Sequence, residues 1–232
     1  MKKQLFLLVI LCLSISLFAQ DKTDKNEFPN EDIRLLTFNL FTPLAFDTPR
    51  YRLGYTHGIS GHLRAGIEVG YGNENTTVVI FDDDFSDRDN YALFEVLPQI
   101  TYIFNPTYPV NHYIALQGFY LNQDEQFFNN SYFDSDLRVQ IRYDQADYNR
   151  KKVGANLLYG VYIPFGNAPI GIDISGGLGI RSRKNTYSNI VNPRADNFFD
   201  DDDFFENYRE DSGTRVGINF SLGFKLTYNL NN

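Results

Sequence analysis

The sequence predicts an all-β protein, a transmembrane antiparallel up-and-down β-barrel of eight strands preceded by a cleavable signal peptide. Three observations carry this. Apolar and polar residues alternate along eight segments. The connections between these segments alternate between tight and long. After the N-terminal stretch, no apolar run reaches the roughly 20 residues a membrane helix needs, and only helices and closed barrels satisfy every backbone polar group in lipid.

The alternation is clearest in Thr214 to Tyr228. Val216, Ile218, Phe220, Leu222, Phe224, Leu226 and Tyr228 take one face, while Arg215, Gly217, Asn219, Ser221, Gly223, Lys225 and Thr227 take the other. A period of two is the strand signature. Ile170 to Arg181, Val153 to Phe165 and His62 to Gly72 repeat it. Ile33 to Phe41, Arg50 to Gly58, Phe94 to Phe104 and His112 to Asn122 show it less cleanly. Most of these segments have the 9–11 residues that cross a bilayer when tilted.

A soluble β-sandwich also alternates, and two features argue against it. The small residues of the polar faces are largely Gly, which strands otherwise avoid but which suits a narrow, crowded lumen. Tight turns at Gly58 to Gly61, Asn105 to Asn111 and Gly166 to Pro169 alternate with long polar connections at Asn73 to Asn90, Gln123 to Tyr148 and Ser182 to Gly213. Short turns at one end and long loops at the other follow the outer-membrane plan. Thr42 to Thr48 is short but lies on the long-loop side. Within the third loop, Leu137, Val139, Ile141 and Tyr143 alternate with Arg138, Gln140 and Arg142, which predicts a protruding hairpin whose exposed edge could pair with a partner strand.

Lys2 and Lys3, the apolar run Leu5 to Phe18 and the small Ala19 form a secretory signal over residues 1–19. A polar periplasmic segment, 20–32, then leads into the barrel, 33–232. Cys12 leaves with the signal, so the mature chain has no thiol or disulfide chemistry. Loss of Lys2 and Lys3 leaves 19 basic residues against 29 acidic ones, taking the net charge from −8 to −10. That balance repels phosphate backbones and argues against a nucleic-acid partner. With the N-terminus periplasmic, both termini sit there and the long loops face outside.

The eight-strand pattern resembles the small outer-membrane barrels of the OmpX and OmpA-transmembrane-domain type across the mature chain. Within that resemblance, Ser221, Gly223, Leu226 and Tyr228 match the C-terminal assembly signal of such barrels, followed here by the extra tail Asn229 to Asn232. The resemblance implies outer-membrane lipid, lipopolysaccharide and the barrel-assembly machinery as partners. No peptidoglycan-binding domain is expected after the barrel.

Candidate chemistry falls in three places. On the polar faces lie Arg50, Arg52, Arg64, Glu68, Glu95, Asp173, Arg181, Arg215 and Lys225. They form either an ion path or a salt-bridged core filling a lumen that, at about eight strands, only just holds its side chains; the packed core is favoured. In the loops, Asp82, Asp83 and Asp84, and Asp200, Asp201, Asp202 and Asp203, form acidic blocks flanked by aromatics. Clustered oxygens suit Ca²⁺ or Mg²⁺, although neither block has a defined calcium-loop spacing and charge runs are usually solvated. His57, His62 and His112 all flank short turns, away from an outer-leaflet substrate, and no His/Cys cluster suggests zinc. A non-enzymatic surface barrel contacting an extracellular or membrane-protein partner is therefore expected ahead of a small pore or a lipid A-modifying enzyme.

Parity also constrains the register of the second and third strands. Tyr51, Leu53, Tyr55, Leu63, Ile67 and Val69 are odd and outward, so paired residue numbers must add to an even sum. Sums of 120 or 118 would set Arg52 or Arg50 opposite Glu68, with Glu95 and Arg64 near enough to extend the network.

Overall fold

Strict alternation places one apolar side chain outward at every second residue, and the fold closes on that pattern. A computed structural model describes residues 33–45, 48–76, 88–134, 137, 139–166, 168–196 and 211–231. The expected signal, the segment 20–32 and both acidic blocks lie outside the described residues. The strands are β1 Arg34–Asn39, β2 Tyr51–Gly58, β3 Leu63–Asn73, β4 Arg88–Ile103, β5 Asn111–Asp134, β6 Val139–Pro164, β7 Ile170–Val191, β8 Arg194–Asp196 and β9 Gly213–Asn229. Consecutive strands pair antiparallel from β1 to β7; β9 then pairs with both β7 and β1, so eight strands close into a barrel. The three-residue β8 stands outside the ring, on β6.

The wall is inside-out relative to a soluble domain. Phe220 is 78% exposed and Leu222 74% on the outer face, while Arg64 at 3% and Glu95 at 3% are buried inside. A belt of Leu36, Leu53, Ile67, Ile100, Leu116, Leu157 and Leu178 continues the exposed apolar surface around the barrel. It runs round every wall, far beyond the isolated patches a soluble monomer tolerates. No described helix is long and apolar enough to cross a membrane.

Strand lengths depart from the sequence reading. β5, β6 and β7 have 24, 26 and 22 residues against 6 in β1, so segments expected as polar loops continue the ladder. Once both faces of a strand meet water, the apolar–polar contrast that marks it disappears. This extension is packed around aromatics: Tyr132 stacks on Tyr187 at 4.1 Å with an interplanar angle of 9°, beside the buried Tyr143 and Ala146. The exposed edge expected near Val139 to Tyr143 is corrected by the fold. β6 there lies between β5 and β8, with Gln140, Ile141 and Arg142 opposite Asp196, Ala195 and Arg194.

The β2–β3 register is even, as parity requires, but its sum is 122: Arg52 faces Gly70 and Glu68 faces Gly54. The turn explains the difference. Leu63 N–H donates to Ser60 O at 3.2 Å, closing a two-residue turn over Gly61 and His62. Alone, that turn would give an odd sum of 123 and send one strand's apolar residues inside. Ile59 and Ser60 both donate to Leu63 O, at 2.7 and 3.1 Å, so a β-bulge absorbs one residue and restores parity. Deleting Ile59 should therefore leave a folded barrel, whereas deleting Thr56 within β2 should abolish it. Heat-modifiable gel migration reads both outcomes; equal behaviour of the two deletions would refute the bulge assignment.

Candidate functional site

Small residues on the inner face decide which long ones can meet. Arg52 of β2, Gly70 of β3 and Glu95 of β4 occupy one row across the wall. A Cβ on Gly70 would lie 2.4 Å from Glu95 Oε1, so only glycine lets the Glu95 side chain fold flat and reach β2. There the carboxylate accepts from Arg50 Nε at 2.5 Å and Arg52 Nε at 2.6 Å. Gly160 repeats the device. Tyr113 lies over it and donates to the Asp173 carboxylate at 2.8 and 3.0 Å, bridging β5 to β7.

Glu68 completes the centre. Its carboxylate is ion-paired with Lys225 Nζ of β9, three strands away, and lies 3.8 Å from Arg52 Nη1. Lys225 is in turn the register partner of Asp173. Glu68 thus meets an arginine of the preceding strand, but diagonally, and its closest partner is a lysine across the lumen. Arg64 turns toward the short-turn end, donating to Asn111 Oδ1 at 3.0 Å with its guanidinium 5.5 Å from the Tyr162 ring centroid. Arg181 lies toward the long-loop end, opposite Gly154 and Gly217, and Arg215 holds Asp211 at 2.6 Å. One network therefore unites Arg50, Arg52, Glu68, Glu95 and Lys225, adjoined by Asp173.

A neutral belt crosses the same lumen. Gln117 donates to Gln99 at 3.1 Å, Asn156 to Gln117 at 3.2 Å and Asn219 to Asn156 at 2.8 Å, linking β4, β5, β6 and β9. Sequence reasoning missed several inner residues for identifiable reasons. Tyr113 is aromatic yet points inward, against the outward preference of such residues. Arg150 and Arg183, each 3% exposed, lie where hydrophobic contrast fades, although their period-two spacing with Lys152 and Arg181 persists. Above the barrel, Asn189 and Gln126 donate to Asp147 at 2.6 and 2.8 Å, tying three strands together. Those bonds, Asn189's first, hold the Asp147 carboxyl below the usual carboxylate range, so this clasp is present above that range and released as pH falls below it.

The histidines stay at the short-turn rim. His62 Nδ1 lies 2.8 Å from Ile103 O, His112 Nδ1 2.7 Å from Tyr159 OH and His57 Nδ1 3.5 Å from Tyr55 OH. None of these contacts is with a serine or a carboxylate. Among the described residues, no three His, Cys, Asp or Glu gather into a metal-binding group. Of the assembly-signal residues, Leu226 and Tyr228 face outward, 42% and 47% exposed, opposite Ile172 and Ile170 of β7. Ser221 and Gly223 face inward, and Gly223 lies opposite Ser175.

A partner removed from the central network leaves a buried ion uncompensated, which costs about 3–5 kcal/mol. Glu68→Ala should therefore lower folding stability by about that amount. Glu74→Ala, beyond the end of β3, should change it by less than about 0.5 kcal/mol. Urea unfolding of the detergent- or vesicle-folded barrel compares them; equal losses would deny the network its structural weight.

No family model matches the chain, and no curated protein matches it. Among solved structures, the chain is similar to the crystal structure of a major outer membrane protein from Thermus thermophilus. Sequence identity is 10%, the TM-score 0.39, and the alignment covers 85% of this chain and 98% of that one.

Proposed function

We propose that this chain is a non-enzymatic outer-membrane barrel whose lumen is sealed by its ion network and whose outward extension is the working surface. The observation carrying the proposal is the pairing of Glu68 with Lys225 and of Glu95 with Arg50 and Arg52, all inside the level of the apolar belt. The belt matches a lipid-facing surface. Ions paired across a narrow lumen fill it instead of lining a water path, because separating them costs several kcal/mol. That weighs against the pore reading, and the histidines, which among the described residues contact no acid or serine, weigh against lipid modification.

The extension of β5, β6 and β7, with its tyrosine cluster, then serves contact with an extracellular or membrane-protein partner. In this reading the termini are periplasmic, residues 1–19 direct export, and Ser221, Gly223, Leu226 and Tyr228 present the β9 end to the assembly machinery. The blocks Asp82 to Asp84 and Asp200 to Asp203 would bridge through Ca²⁺ or Mg²⁺ to lipopolysaccharide phosphates.

Planar-bilayer recording tests the seal. Wild-type protein should show no unitary conductance steps, and Glu68→Ala combined with Lys225→Ala should introduce them or raise leak. Regular steps from wild type would replace the sealed barrel with a pore.

A further inference from the structure

The short-turn end of the barrel differs in chemistry from the rest of the molecule. Its three turns, 58–62, 104–110 and 165–169, carry no Asp, Glu, Lys or Arg, although the whole chain has 21 basic and 29 acidic residues. Between the second and third turns lies a pocket of about 430 Å³, within the roughly 300–1,000 Å³ of ligand sites. Pro106, Tyr108, Pro109, Tyr162, Pro164 and Ala168 form its walls, and Ile33 closes one edge.

The backbone and amide groups around this pocket are engaged with one another. Asn111, also in the lining, donates to Asn105 O at 3.1 Å and to Tyr108 O at 2.7 Å, and accepts from Arg64. Ile33 O accepts from Gly58 N–H at 2.8 Å, and Ala168 N–H donates to Phe165 O at 3.0 Å. What these bonds leave to a guest is mainly the ring surface of prolines and tyrosines. A charged guest would find no counter-ion there, so the pocket selects an apolar one.

Ile33 is also where residues 20–32 join the barrel. Charges crowd that stretch from Asp21 to Glu27 and again at Glu31 and Asp32, and its only apolar residues are Phe28 and Pro29. Phe28 stands five residues before Ile33, a reach of at most roughly 17 Å, and the pocket begins at Ile33 itself. The following proline biases Phe28 toward an extended backbone, which lowers the entropy lost on docking. Attachment makes the encounter intramolecular, an advantage that a separate partner lacks.

We infer that Phe28 and Pro29 dock in this pocket and close the short-turn mouth of the barrel. The phenyl ring packs against the tyrosine and proline rings, while the charged residues on either side stay in water. Asn111 and Tyr162 form the inner wall of the pocket, and both contact Arg64, which lines the lumen above. The docked dipeptide therefore shuts the lumen from below with a segment of the chain itself. This closure goes beyond the surface role proposed above and would stand without it.

The chain contains no tryptophan, so Phe28→Trp supplies a single indole at the docked position. The exported protein is purified from membranes and compared with Asn26→Trp, on the polar part of the same segment. The Phe28→Trp indole should emit at shorter wavelength and be quenched by acrylamide several-fold less. Tyr108→Ser alters a side chain 64% exposed, where folding tolerates change, and Ala168→Glu sets a charge in the pocket. Either one, added to Phe28→Trp, should abolish both differences while heat-modifiable migration stays unchanged. An indole at position 28 as exposed as one at 26 would leave the pocket to a separate molecule and overturn the proposal. So would a shielded indole indifferent to both pocket variants, because detergent would then be what covers it.

Discussion

Closure of β1 onto β9 is the constraint from which the other features follow. Leu35 to Asn39 pair with Lys225 to Asn229, a seam of five residue pairs against the long ladder joining β5 to β6. The tail reinforces it: Leu230 N–H donates to Arg34 O at 2.8 Å. Closure gives the wall two faces of opposite polarity, and parity then fixes every side chain to one of them. A single residue slipped in β2 would bring Tyr51, Leu53 and Tyr55 inside, and the bulge at Ile59 and Ser60 exists to prevent this.

An eight-strand ring is too narrow for water to solvate a lumen full of charges, so the charges must solvate one another. Glycine at Gly70 and Gly160 makes room for Glu95 and Tyr113 to lie along the wall and reach the next strand but one. In the lower and central lumen Glu68, Glu95 and Asp173 are set among Arg50, Arg52, Arg64 and Lys225.

The barrel was legible in the sequence wherever one face met an apolar surround. Thr214 to Tyr228 shows this: seven apolar residues at a period of two can only coat a wall. Legibility ended with that contrast. Gln123 to Tyr148 and Ser182 to Gly213 read as loops because outward residues such as Gln126, Asp147 and Asn189 are as polar as the inward ones, yet the ladder runs on into both segments. The candidate site was legible in composition and face, so Glu68, Glu95, Arg52 and Lys225 are identifiable without coordinates. Their partners were not, since a turn of unknown type sets the register and the Glu68–Lys225 pair joins residues 157 apart in the chain.

The central claim, an apolar belt in lipid around a sealed polar lumen, is tested most directly by placing one charge on each face at the same depth. Phe220 points outward and its neighbour Asn219 inward. Folding free energies in phospholipid vesicles should fall by about 2–4 kcal/mol for Phe220→Arg. Asn219→Arg, meeting the amide of Asn156, should lose clearly less. Equal losses, or a greater loss at Asn219, would contradict the inside-out assignment.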